Sequence, residues 1–113
     1  MLGTLYTDTL TLSDGVVIQG QSIGVGSAGR SSRLRGADGI LGLGPRALTV
    51  DTLVHEPDTL IPTVIDNLYT QGAISQRIIS YYFTPFLETE VTYGTITFGG
   101  IDPVGQTGPI TYT

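Results

Sequence analysis

The side chains that could do chemistry in this sequence are few, and several kinds are missing. His55 is the one histidine, cysteine is absent, and all five basic side chains are arginines, set against ten acidic ones for a net charge of -5. A lone histidine leaves a histidine-based metal site or a catalytic triad without partners. The lack of cysteine removes disulfides, thiol nucleophiles and cysteine-zinc sites together. Arg30, Arg33 and Arg35 lie close together in a stretch rich in Gly and Ser. A phosphate or nucleic-acid site is the sharper reading of that cluster, but no Walker or dinucleotide spacing accompanies it, and a solvated charged loop accounts for it. The overall negative charge also argues against nucleic acid or an anionic membrane surface as partner. The run Asp38-Gly39-Ile40-Leu41-Gly42-Leu43-Gly44 has a Gly-x-Gly-x-Gly look, yet Pro45 follows it directly. A nucleotide loop would open a helix there.

The elements that would position these groups are mostly strands. In residues 2–13 Leu5, Thr7, Thr9 and Thr11 alternate with Tyr6, Asp8, Leu10 and Leu12, a strand signal. Ser13-Asp14-Gly15 is turn chemistry, and residues 16–25 return as a second strand, giving an antiparallel hairpin. Residues 24–39 read as a loop. Residues 38–44, apolar and broken by glycines, read as a buried strand whose backbone lies close to another segment. Residues 46–60 read as irregular, with His55 an exposed loop residue. Pro62 suits the first position of a helix, with Val64, Ile65, Leu68 and Tyr69 on one face and Gly72 as the stop. Residues 73–76 suggest a further turn. A strand over 78–83, closed by Pro85, an acidic loop with Glu88 and Glu90, a strand within 94–100, a turn at Ile101-Asp102-Pro103 and a last strand over 109–113 complete the chain. At 113 residues and 40% hydrophobic content the chain reads as soluble and globular, with no apolar run near the ~20 residues of a membrane span. Met1 opens no basic, apolar leader.

Four segments in order carry a family resemblance: DTLTL from Asp8, DGILGLG from Asp38, PTVIDNLYTQGAISQ from Pro62 and GTITFGGIDP from Gly94. Together they resemble the second half of the amino-terminal lobe of pepsin-like aspartic proteases, fungal ones especially, and they cover nearly the whole chain. The resemblance implies a mostly β fold, a partial acid-protease lobe of antiparallel strands with one or two short helices, forming a single truncated segment over residues 1–113. It also implies secretion and a polypeptide substrate. No cofactor or metal is expected.

Enzymes of that family use two aspartates, each in an Asp-Thr/Ser-Gly turn, which share a proton and activate water. Here Asp8-Thr9-Leu10, Asp51-Thr52-Leu53 and Asp58-Thr59-Leu60 place Leu where the tight turn needs Gly, and Asp14-Gly15 and Asp38-Gly39 lack the intervening Thr or Ser. In the family pattern the catalytic turns fall before Met1 and after Thr113, and the flap tyrosine precedes Tyr6. The expectation is therefore no catalytic residue in this chain and no hydrolysis by it alone. Ile40-Leu41-Gly42 resembles the strand that braces a catalytic turn, with Leu41 and Gly42 as support. Ile40, and with it Leu34 and Ala37, corresponds to positions lining the substrate pockets; related enzymes often carry an aromatic where Ala37 stands. Asp66 and Asn67 read as structural. Two other functions fit less closely: a non-catalytic module that binds proteins or itself, and a homodimeric protease, which would need one Asp-Thr/Ser-Gly per chain. Without neighbouring strands, the edges beside residues 5–12 and 40–44 are expected to seek self-association or the missing protease segments.

Overall fold

A computed structural model describes residues 2–28, 37–83, 94–103 and 108–109. The chain folds as two units, Met1–Ala73 and Ile74–Thr113. The strand expected over 109–113 and the loop with Glu88 and Glu90 lie outside the described residues.

In the first unit β1 (Leu2–Ser13) pairs antiparallel with β2 (Val16–Ala28) across a two-residue turn at Asp14-Gly15. The hairpin follows the Thr/Leu alternation, and β2 runs three residues beyond the expected end at Val25. Between Asp8↔Gln21 and Leu10↔Ile18 the register shifts, so that Gln19 and Gly20 together oppose Thr9. Gly20 adopts φ +66, which a residue with a Cβ resists, and this glycine lets the strand bulge. The bulge takes the Gln19 main chain out of the ladder.

That freed main chain meets the helix. Gln71 accepts from the Gln19 N–H through Oε1 at 3.0 Å and donates from Nε2 to the Gln19 carbonyl at 2.9 Å, a side-chain amide standing in for a neighbouring strand. Helix α1 (Val64–Thr70) packs on β2, burying Val64 and Leu68 on the side of the buried Ile18. Of the expected apolar face Val64 and Leu68 are buried and Ile65 is half-buried, whereas Tyr69 is 44% exposed, and the helix begins later than Pro62. Thr63 is the N-cap, its hydroxyl accepting from the Asp66 N–H while the Asp66 carboxylate accepts from the Thr63 N–H at 3.0 Å. This reciprocal cap satisfies the first free amides and outweighs the proline's preference for the first turn. The helix ends with Gly72 N–H on the Tyr69 carbonyl and Ala73 N–H on that of Leu68, the Schellman pattern.

Asp66 and Asn67 are structural, as read from sequence. Asn67 Nδ2 donates to Gln21 Oε1 at 3.0 Å, and Gln21 is buried within the hairpin, 6% exposed. Asn67→Leu is expected to leave that carbonyl without its donor and to destabilise the chain by about 1–3 kcal/mol, read from urea denaturation midpoints. An unchanged midpoint would contradict the assignment.

In the second unit β3 (Ile79–Phe83) pairs antiparallel with β4 (Gly94–Phe98), from Ile79↔Phe98 to Phe83↔Gly94. The Gly99 N–H extends the pairing to the Ile78 carbonyl at 2.7 Å, and the Asp102 N–H donates to Ser80 Oγ. Ser80 thereby fixes the turn after β4.

Residues 38–44 are the principal correction. They form no strand in either sheet, and Ile40 is 80% exposed. A strand needs a ladder partner as well as a strand-like composition, and neither described sheet extends to this segment.

Candidate functional site

The segment that failed to become a strand borders a groove in the first unit. Gly39 to Gly42 form one side, Leu10 and residues 21–24 of the hairpin another, and Leu48, Ile61 and Val64 contribute to the remainder, enclosing about 700 Å³. Among the described residues, no charged side chain lines it. Its lining therefore offers apolar contact together with backbone groups, the Ser22, Thr49 and Thr63 hydroxyls and the Gln21 amide.

Local hydrogen bonds hold the groove in shape. Arg46–Thr49 is a 3-10 helix opened by Pro45, with Leu48 N–H on the Pro45 carbonyl at 3.0 Å. Thr49 Oγ1 donates to the Arg46 carbonyl at 2.8 Å and accepts from the Ile61 N–H at 2.8 Å, while Arg46 Nη2 donates to the Leu60 carbonyl. One threonine thus ties the 3-10 turn to the extended approach of α1. Leu48, 73% exposed, stands out from that turn.

Of the residues singled out by sequence, Ile40, Leu41 and Gly42 line the groove. A Cβ at Gly42 would meet nothing within 4 Å, so the backbone there lies open. Ala37 is exposed just ahead of the segment, and Leu34 lies outside the described residues. Sequence reasoning missed Leu48, Thr49 and Ile61, because residues 46–60 carry no periodic pattern. A threonine one turn after Pro45 was the available signal, since a short hydroxyl can bond main chain nearby.

The three Asp-Thr-Leu triplets are scattered through the first unit. Asp8 lies on exposed β1 and accepts its neighbour's N–H, from Thr9, at 2.7 Å. Asp51 sits in a turn at φ 59, its N–H on the Pro57 carbonyl, and Asp58 lies in the following exposed loop. His55 is exposed between them, as expected. Among the described residues no group of three or more His, Asp or Glu side chains gathers in a way that could hold a metal ion. Among them, too, no helix is long and apolar enough to cross a membrane.

The described parts of this β-rich chain are an antiparallel hairpin braced by a short capped helix, with an apolar groove beside it, and a second two-stranded antiparallel sheet. The chain belongs to the eukaryotic aspartyl protease family, whose sequence model matches residues 1–113. It is similar to polyporopepsin of Irpex lacteus, 50% identical over 111 residues that make up 98% of this chain and 32% of that protein. Rhizopuspepsin-5 of Rhizopus niveus is 36% identical over 110 residues, 96% of this chain and 26% of that protein. The crystal structure of the aspartic proteinase from Irpex lacteus superposes with a TM-score of 0.83 at 46% identity, covering 95% of this chain and 31% of that one. The pepsin-like fold is thereby established. The chain spans about a third or less of the length of these relatives.

Proposed function

We propose that this polypeptide supplies scaffold and one wall of the substrate cleft of a secreted pepsin-like aspartic endopeptidase, and that the 113-residue chain alone does not hydrolyse peptide bonds. The observation that carries the proposal is the third residue of each Asp-Thr triplet: Leu10, Leu53 and Leu60 occupy it, and no Asp-Thr-Gly or Asp-Ser-Gly occurs in the sequence. A water-activating pair requires two carboxylates close enough to share one proton. Family membership supports peptide-bond hydrolysis as the reaction of the whole protease, with carboxylates supplied by other polypeptide. In that setting Ile40, with Ala37 and Leu34, contacts substrate side chains, and Leu41 and Gly42 back the catalytic turn. The uncharged lining of the groove supports an apolar cleft wall.

Incubation of the purified 113-residue chain with an unfolded protein substrate from about pH 3 to 6, where a shared-proton pair acts, is expected to release no peptides. Turnover abolished by a transition-state-mimicking aspartic-protease inhibitor would overturn the proposal.

A further inference from the structure

Of the six prolines in the chain, one follows an aspartate, at Asp102-Pro103 just beyond β4. That pairing carries chemistry of its own. The side-chain carboxylate of an aspartate can reach its own main-chain carbonyl carbon and close a succinic-anhydride ring, an intramolecular attack that needs no second molecule. Proline supplies the leaving group, because its ring nitrogen is more basic than an ordinary peptide nitrogen and departs as a secondary amine once protonated. The fold holds this dipeptide by its main chain. The Asp102 N–H donates to Ser80 Oγ at 3.2 Å, and Ser80 is itself paired with Thr97 in the β3–β4 ladder. A residue before proline is confined to extended backbone. Rotation about the Asp102 Cα–Cβ bond then carries the carboxylate toward the carbonyl carbon. Asp102 is half-buried and Pro103 exposed, so water has access to the bond.

We propose that Asp102-Pro103 is an acid-triggered self-cleavage site, cut by the Asp102 carboxylate. One carboxylate oxygen attacks the Asp102 carbonyl carbon, its electron pair forming the new C–O bond. The C–N bond to Pro103 breaks, the bonding pair stays on nitrogen, and a proton from the acid solution completes the amine. The cyclic anhydride left at Asp102 then takes up one water, whose hydroxyl goes to a carbonyl carbon and whose proton goes to the ring oxygen, giving two carboxyl groups. The net reaction is addition of water across the peptide bond, with nothing oxidised or reduced. Mild acid, around pH 3, holds both the carboxylate and the proton source. The β3–β4 ladder and the Gly99 bond to Ile78 that extends it are made on the amino side of the cut, so that sheet stays paired after cleavage. The proposal stands apart from the protease reading, since the bond broken lies within the chain and the adjoining side chain breaks it.

Warm incubation of the 113-residue chain at about pH 3, followed by intact-mass analysis, is expected to yield residues 1–102 and 103–113. The reaction is expected to be first order, with a rate independent of chain concentration and untouched by a transition-state-mimicking aspartic-protease inhibitor. Asp102→Asn removes the nucleophile and Pro103→Ala the basic leaving group, and each is expected to slow the cut about 100-fold. Asp102→Glu, which must close a wider ring, is expected to slow it about 10-fold. The Gly44-Pro45 and Glu56-Pro57 bonds serve as internal controls and stay whole. Amide protection along β3 and β4 is expected to persist in the cut chain. A chain that stays intact at Asp102-Pro103, or is cut there equally fast in the Asp102→Asn and Pro103→Ala variants, overturns the proposal. So does cleavage that the inhibitor abolishes, which would assign the cut to a protease.

Discussion

Leu68→Ala is expected to lower the stability of the chain by about 3 kcal/mol, within the range for a fully buried leucine that leaves a cavity. Leu68 is 0% exposed and lies on the face of α1 that packs on β2, with Ile18 and Val64 as the other buried apolar side chains among the described residues. With so few partners, truncating one of them to a methyl group strips a large share of the apolar contact between helix and hairpin. Small domains have only about 5–15 kcal/mol in hand. The measurement is denaturant unfolding followed by circular dichroism, with hydrogen exchange to localise the loss to α1 and the neighbouring part of β2. A shift below about 1 kcal/mol would mean that the helix is not fastened by this contact.

Gly99→Ala is expected to have an effect of similar size in the second unit, about 2–4 kcal/mol, because two costs coincide. Gly99 holds φ +83, a conformation side chains rarely adopt, and a Cβ there would stand 2.7 Å from the Ile74 Cβ. Its N–H also continues the β3–β4 ladder to Ile78, so the backbone cannot turn away without losing that bond. Loss of amide protection along β3 and β4 would be the local signature. Gly100→Ala is the control, since a Cβ at Gly100 meets nothing within 4 Å. Equal destabilisation by the two substitutions would rule out the steric account.

The parts of this fold that could be read in advance were those written by neighbours in sequence. Alternation around Leu5 and Leu10 with Asp14-Gly15 specified the hairpin, the spacing of Val64 and Leu68 specified the buried face of α1, and the β-branched and aromatic run at Ile79 specified β3. Local patterns placed the start of α1 less well: Pro62 drew attention from Thr63 and Asp66, whose spacing is a capping signature. Residues 38–44 show the reverse failure. Their composition suits a buried strand, but burial depends on what lies alongside, and a strand's partner is not encoded in its own residues. The same holds for the candidate site. Ile40, Leu41 and Gly42 were singled out through family resemblance, whereas Ile61 is held at the groove by its bond to Thr49 and Leu48 by the 3-10 turn on Pro45, which no periodicity announces.

The bulge at Gln19 and Gly20 has a consequence for how the fold meets acid. Helix and hairpin are clasped there by the Gln71 amide on the Gln19 main chain, and a few residues away by Asn67 on Gln21, all neutral groups. Amides neither gain nor lose a proton as acidity rises, in contrast to an ion pair, whose attraction vanishes once its carboxylate is protonated. Clasps of this kind keep their grip in strongly acidic solution, so the two amide contacts between α1 and the hairpin are indifferent to protons, in contrast to the cap of the same helix, which uses the Asp66 carboxylate.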